Sequence, residues 1–159
     1  MSTSGIFKTN KLDNLDSVKD VGFLISMVKS AIVSSIDTEL APLELTAAQY
    51  RVVMILSYNG RSTLANLCEE MDYDRGAMSR LLCRLESKGL LDKKPCPEDK
   101  RSMYLTLSDK GAAFIPDILP KVNAVFHKGF NGFAEQEKEQ LNSLLLRFLN
   151  NLKEVRNKE

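Results

Sequence analysis

The sequence predicts a mainly α-helical chain of the α+β type, with one small β-hairpin set among the helices. Three observations carry this. Apolar residues recur at three- and four-residue steps in several separate segments. Two short helical segments are joined only by Asp72-Tyr73. A run of strict two-residue alternation, Ser102 to Leu107, follows a glycine stop at Gly89. At 159 residues, with 43 % hydrophobic and 27 % charged content, the chain has the size and make-up of one globular domain.

Residues 1–12 read as a loose polar tail. An amphipathic helix is expected from about Asp16 to Leu40, with Val21, Leu24, Ile25, Val28, Ile32 and Ile36 on one stripe, and Pro42 ends it. Thr46-Ala47-Ala48-Gln49 is a capping box, a Thr N-cap with Gln three residues on, and opens a second helix that Asn59-Gly60 stops. Ser62 is placed to cap a third helix, Thr63 to Met71, with Leu64, Leu67, Cys68 and Met71 inward. Asp74 caps a fourth, which Lys88-Gly89 closes, the glycine suiting a left-handed position. Leu90 to Lys94 and Ser102 to Leu107 then read as two strands of a projecting hairpin. Helix resumes after Ser108; Gly111 and Pro116 predict an irregular start and Pro120 a kink. Asn131-Gly132 marks a turn, and a last helix spans about Glu135 to Glu154 with a broad leucine-rich stripe.

Composition narrows the chemistry. No run reads as long and apolar enough to span a bilayer, and the polar Met1 to Asn10 lacks the apolar centre of a signal peptide, so a cytoplasmic protein without a membrane partner is expected. Cys68, Cys83 and Cys96 form no CxxC pair, and His127 is the single histidine. Reduced thiols, no metal and no cofactor are the expectation. No nucleophile–base–acid pattern and no Gly-rich phosphate loop is present, which argues against an enzyme.

The charge distribution is more telling than its total. Arg75 to Arg101 carries eight basic and four acidic side chains, a net +4 within a chain whose total is +1. On a wheel of about 100° per residue, Met78, Leu81, Leu82 and Leu85 of the fourth helix share one face, and Gly76, Arg80, Cys83, Arg84 and Ser87 the opposite one. Small residues around two arginines allow close approach to a groove floor. Arginine can bond guanine bidentately or grip phosphate. Arg75 and Ser79, near the helix start, suit phosphate or adjacent bases. The third and fourth helices make a helix-turn-helix, and the hairpin behind them a wing. At the wing tip, Lys100 adds charge, Arg101 is a minor-groove probe, and Asp99 is placed to pair with it.

Leu45-Thr46-Ala47-Ala48-Gln49-Tyr50, Leu64-Ala65, Arg80-Leu81-Leu82, Leu85-Glu86-Ser87-Lys88-Gly89-Leu90, Asp99-Lys100-Arg101 and Leu105-Thr106-Leu107-Ser108-Asp109-Lys110-Gly111 together resemble the MarR family, over about residues 16 to 155. The resemblance implies a winged helix-turn-helix with N- and C-terminal dimerisation helices: residues 13–44 and 112–159 for dimerisation, 45–111 for DNA. It implies a homodimer on a pseudo-palindromic double-stranded operator, the fourth helix in the major groove and Arg101 in the minor groove. It also implies a crevice for a small effector, expected to be aromatic or phenolic, with Met27, Ser30, Tyr50, Met54 and Arg61 at matching positions. Taken singly, each of these five is also accounted for by packing. Met27 and Ser30 stand where some members carry basic residues, which counts against an anionic effector.

Two alternatives stay open. A thiol-responsive regulator would use Cys83 on the outward face of the fourth helix or an exposed Cys96 on the wing, although each is more simply read as a buried or inert thiol; the peroxide-sensing branch carries its cysteine in the first helix, where this chain has none. A helical dimer acting as a protein adaptor would bind no duplex in a salt-dependent way.

Overall fold

The computed structural model describes residues 18–97 and 102–156. The predicted tail, residues 1–12, lies outside them. The chain runs α1 (Val18–Leu40), a 3-10 turn (Ala41–Leu43), α2 (Ala47–Asn59), β1 (Ser62–Thr63), α3 (Leu64–Met71), α4 (Arg75–Ser87), β2 (Leu91–Pro95), β3 (Met103–Leu107), α5 (Asp109–Gly129) and α6 (Glu135–Arg156). Mainly helical with a small hairpin, it has the predicted class.

Local chemistry explains most boundaries. The capping box forms: Gln49 N–H donates to Thr46 Oγ1 at 3.2 Å, and Thr46 N–H donates to Gln49 Oε1 at 3.0 Å. Ala47 N–H, a donor of this helix start with no partner inside the helix, reaches back to Asp37 Oδ1 at 2.6 Å and ties α2 to α1. Asp74 caps α4 as expected, taking Ala77 N–H at 2.8 Å. Gly89 closes α4 at φ +71°.

Four expectations need correction. Thr63, not Ser62, caps α3, receiving Asn66 N–H at 3.2 Å. Ser62 is buried and belongs with Thr63 to a third strand. The hairpin is therefore part of a three-stranded antiparallel sheet of order β1-β3-β2, with Ser62 opposite Leu105 and Lys93 opposite Leu105 on the other side. The helix α5 is unbroken across Gly111, Pro116 and Pro120. Both prolines are exposed, so the carbonyls of Ala112 and Pro116 that lose a partner face solvent. Finally, Asp20–Leu43 is apolar and long enough to cross a bilayer, with a mean hydropathy of 1.4. Between Val21 and Thr38 only Lys29 and Asp37 are charged, the remainder being apolar or small and polar, which the stripe alone did not reveal.

The core lies beneath the winged body. The C-terminal end of α1 supplies Ile36 and Leu40, α2 supplies Val52, Val53 and Leu56, and α3 supplies Leu67 and Met71. Leu91 and Leu105 close it from the sheet, Leu90 from the residue just before β2, and Ile118, Val122 and Val125 from α5. Burying one such leucine or valine side chain is worth about 1.5–3 kcal/mol. In contrast, no described side chain of α6 is buried, and α1 before Ile36 leaves Val21, Phe23, Leu24, Val28 and Val33 exposed.

Candidate nucleic-acid interface

The two faces of α4 separate cleanly. Met78 and Leu85 are fully buried, and Leu81 and Leu82 nearly so. Arg75, Gly76, Ser79, Arg80, Cys83 and Arg84 are all exposed. The Asp74 carboxylate sits at the positive end of the helix and satisfies one of its free donors. A Cβ added at Gly76 would lie 3.3 Å from Asp74 Oδ1 and 3.5 Å from Arg80 Nη1. The glycine thus keeps the backbone bare at the start of this surface. Asp72, at φ 50°, turns the chain from α3 toward α4.

The wing stands beside α4. Lys93 of β2 pairs with Glu86 of α4, linking hairpin to helix. Arg61, just before β1, lays its guanidinium 4.3 Å from the centre of the Tyr104 ring on β3. Asp99, Lys100 and Arg101 lie outside the described residues.

Two cavities flank α4. One, of about 350 Å³, opens between α1, α2 and α4, with Val33, Asp37, Thr46, Tyr73, Arg80 and Arg84 among its walls. The other, of about 250 Å³, lies between α3, α4 and the sheet and includes Thr63, Arg75, Ser79, Lys93 and Met103. Four residues predicted for duplex contact therefore line hollows as well as facing solvent.

The predicted effector residues are not gathered in either cavity. Met27, Tyr50 and Met54 are half-buried, Ser30 is exposed, and Arg61 is engaged by Tyr104. Burial pushes the Tyr50 phenol above its ordinary pKa of 10.0, with Tyr58 adding to the shift, so its hydroxyl remains a donor at neutral pH. The thiols differ from one another: Cys83 is exposed and Cys68 half-buried. Cys96 is buried, in line with the reading of an inert thiol; its N–H donates to Ser102 O at 3.0 Å and extends the hairpin pairing one step.

Sequence reasoning missed that, among the described basic side chains of the cationic segment, Lys93 and Lys88 have acidic neighbours. Lys93 goes to Glu86, and the Lys88 ammonium lies 3.9 Å from a Glu44 carboxylate oxygen. An acid and a base seven residues apart across a glycine stop were the available signal for the first. Nothing local pointed to the second.

Comparison with known proteins agrees with this geometry. The MarR family model matches residues 45–103, which span the winged body. The multiple antibiotic resistance protein MarR of Salmonella typhimurium is 34 % identical over 101 residues, covering 64 % of this chain and 70 % of that protein. The HTH-type transcriptional repressor IacR of Pseudomonas putida is 23 % identical over 130 residues, 82 % of this chain and 78 % of its own length. A crystal structure of a mutant MarR from E. coli complexed with operator DNA superposes with a TM-score of 0.74 at 29 % identity, covering 91 % of this chain and 99 % of that one. These relatives are named as regulators rather than enzymes. With its two-faced α4, its wing and this degree of likeness, the chain belongs to the MarR family of winged-helix, DNA-binding transcriptional regulators.

Proposed function

We propose that the protein is a homodimeric repressor that binds a pseudo-palindromic operator and releases it on binding a small aromatic or phenolic effector in the cytoplasm. One observation carries the reading: Arg80 and Arg84 are exposed one turn apart, directly opposite the buried Met78, Leu81, Leu82 and Leu85. In this reading α4 enters the major groove, where Arg80 and Arg84 meet bases and Arg75 and Ser79 meet phosphate or flanking bases. The wing tip, Asp99, Lys100 and Arg101, enters the adjacent minor groove.

A single helix-turn-helix reads one half-site, so the second half requires a second copy. The exposed faces of α1 and α6, with Leu141, Leu144, Leu145, Phe148, Leu149 and Leu152 on the latter, supply the apolar surface for it. A bilayer is a poorer occupant for α1. Crossing one needs about 20 residues, and the required length includes Ile36 and Leu40, which are already packed in the core. Met27, Ser30, Tyr50 and Met54, on α1 and α2, are the residues offered to the effector; Arg61, stacked on Tyr104, is the weakest member of the original set. Effector binding acts only by favouring a dimer arrangement whose two α4 helices no longer match the half-sites.

The test begins with a duplex enriched from a random pool by the protein. Salt-dependent binding of that duplex by a dimer, weakened by phenols or aromatic aldehydes that also raise the melting temperature, supports the reading. Absence of any enriched duplex rejects it. A second reading is favoured by exposed Cys83 on the same face as the arginines. Hydrogen peroxide would oxidise its thiol to sulfenic acid, itself being reduced to water, and weaken duplex binding. Loss of binding in peroxide that dithiothreitol reverses, and that Cys83→Ser abolishes, would select it.

A further inference from the structure

We infer that Ser108, Lys110 and Gly111 are positioning residues for operator recognition: they clasp the C-terminal end of α4 to the first turn of α5. The inference rests on the DNA-binding reading above. Three successive carbonyls at the end of the recognition helix are each taken by this short segment. Lys110 Nζ donates to Lys88 O at 2.7 Å, Ser108 Oγ donates to Gly89 O at 2.6 Å, and Ser108 N–H donates to Leu90 O at 3.1 Å. The Ser108 hydroxyl also accepts Gly111 N–H at 2.9 Å, so one side chain both starts α5 and holds the end of α4.

The backbones themselves touch. A Cβ added at Gly111 would overlap the Leu90 carbonyl, with main-chain atoms on both sides and no flexible side chain to give way. The Lys110 stem lies 3.7 Å from where a Cβ of Gly89 would stand. Meanwhile the Lys88 ammonium donates to the Glu44 carbonyl, between α1 and α2. The base of α4 is thereby fastened to the parts of the chain that lead into the terminal helices, while its outer face remains open.

Such an attachment makes α4 a lever. Arg84 and Arg80 lie one and two turns from Lys88, about 6 and 12 Å along the helix axis. A small rotation of the first turn of α5 is carried through the three bonds and displaces the arginines. The same bonds hold the two α4 helices of a dimer at one separation. This assigns a purpose to Ser108-Asp109-Lys110-Gly111 that duplex contact does not require.

Gly111→Ala drives backbone against backbone and puts the fold itself at risk, so Lys110→Met carries the test. It removes the ammonium from an exposed position and keeps the stem beside Gly89. Affinities of wild type and K110M are measured for the duplex enriched by wild type, for a random duplex, and for versions of the enriched duplex with one base pair added or removed between half-sites. The expected result is roughly tenfold weaker binding of the enriched duplex, the scale of one hydrogen bond from a charged donor, with random-duplex binding unchanged and a smaller penalty for altered spacing. Unchanged affinity for the enriched duplex overturns the inference. An equal loss on enriched and random duplexes, with a shallower salt dependence, also overturns it and makes Lys110 a phosphate contact. If wild type enriches no duplex, the DNA-binding reading fails and this inference with it.

Discussion

The winged body and the terminal helices obey opposite economies. From Leu45 to Leu107 each helix buries its inner stripe, each start is capped, and Leu56, Leu67, Met78 and Leu85 are almost wholly removed from water. In α6 the apolar stripe is as regular, yet Leu144 is 46 % exposed and Leu146 54 %. Periodicity alone cannot distinguish these cases, because both satisfy the same helical spacing. The difference lies in whether the chain holds a partner surface of its own. The body does; among the described residues, α6 and the N-terminal part of α1 leave theirs uncovered.

The comparison can be broken most decisively at α6. Leu145→Lys combined with Leu149→Lys should give the monomer mass in light scattering at micromolar concentration and weaken enriched-duplex binding by about 100-fold or more, since the second half-site no longer binds intramolecularly. A dimer of wild-type affinity would mean that this stripe is not the interface. Next in size, Leu85→Ala should cost about 2–5 kcal/mol in denaturant unfolding. Leu146→Ala, made in the monomeric background, should cost far less; equal losses would erase the distinction between the two regions.

Smaller effects sharpen the division within the body. Arg84→Ala should leave the melting temperature almost unchanged and remove about 1–3 kcal/mol of preference for the enriched over a random duplex. Asp74→Ala should lower stability by about 1 kcal/mol through loss of the α4 cap, read from the denaturant midpoint. The smallest effect concerns Glu39, whose carboxyl is held below its ordinary pKa by the hydrogen bond and charge of Lys128, with Lys121 adding a little. A pKa lowered in the folded state contributes stability above the unfolded value, and that contribution disappears as pH falls through the lowered one. The stability difference between wild type and Glu39→Gln should therefore shrink on acidification; a difference independent of pH would dismiss the pair.

How much was legible follows from the range of each interaction. The partition of α4 was readable because burial in a helix repeats locally, and so were Thr46 with Gln49 and Asp74 with Ala77, three residues apart. Ser62-Thr63 was misread because two residues carry no alternation; they become a strand only where β3 offers its edge, over forty residues away. The same pairing moved the α3 cap from Ser62 to Thr63. Whether Cys96 is buried or exposed was open at the level of sequence, because hairpin residues face either way and its burial depends on the body beneath the sheet. The partner of Lys88 was invisible for a similar reason: it lies across the molecule at Glu44. Of the candidate site, the outward arginines were legible, whereas the cavities on either side of them are products of packing between separate elements, α1 and α2 against α4 on one side and the sheet against α3 and α4 on the other.

The two prolines of α5 have a mechanical consequence. Pro116 and Pro120 stand four residues apart, so the rungs they omit lie one above the other along a single edge of the helix. A rod braced on all sides but one has a preferred direction of flexure. The N-terminal end of α5 is anchored against the winged body, and its far half packs against α1, where Lys128 meets Glu39. Any mismatch between those two attachments concentrates as curvature between Ala112 and Pro120. The molecule thus carries its compliance in the middle of the helix that joins the winged body to α6.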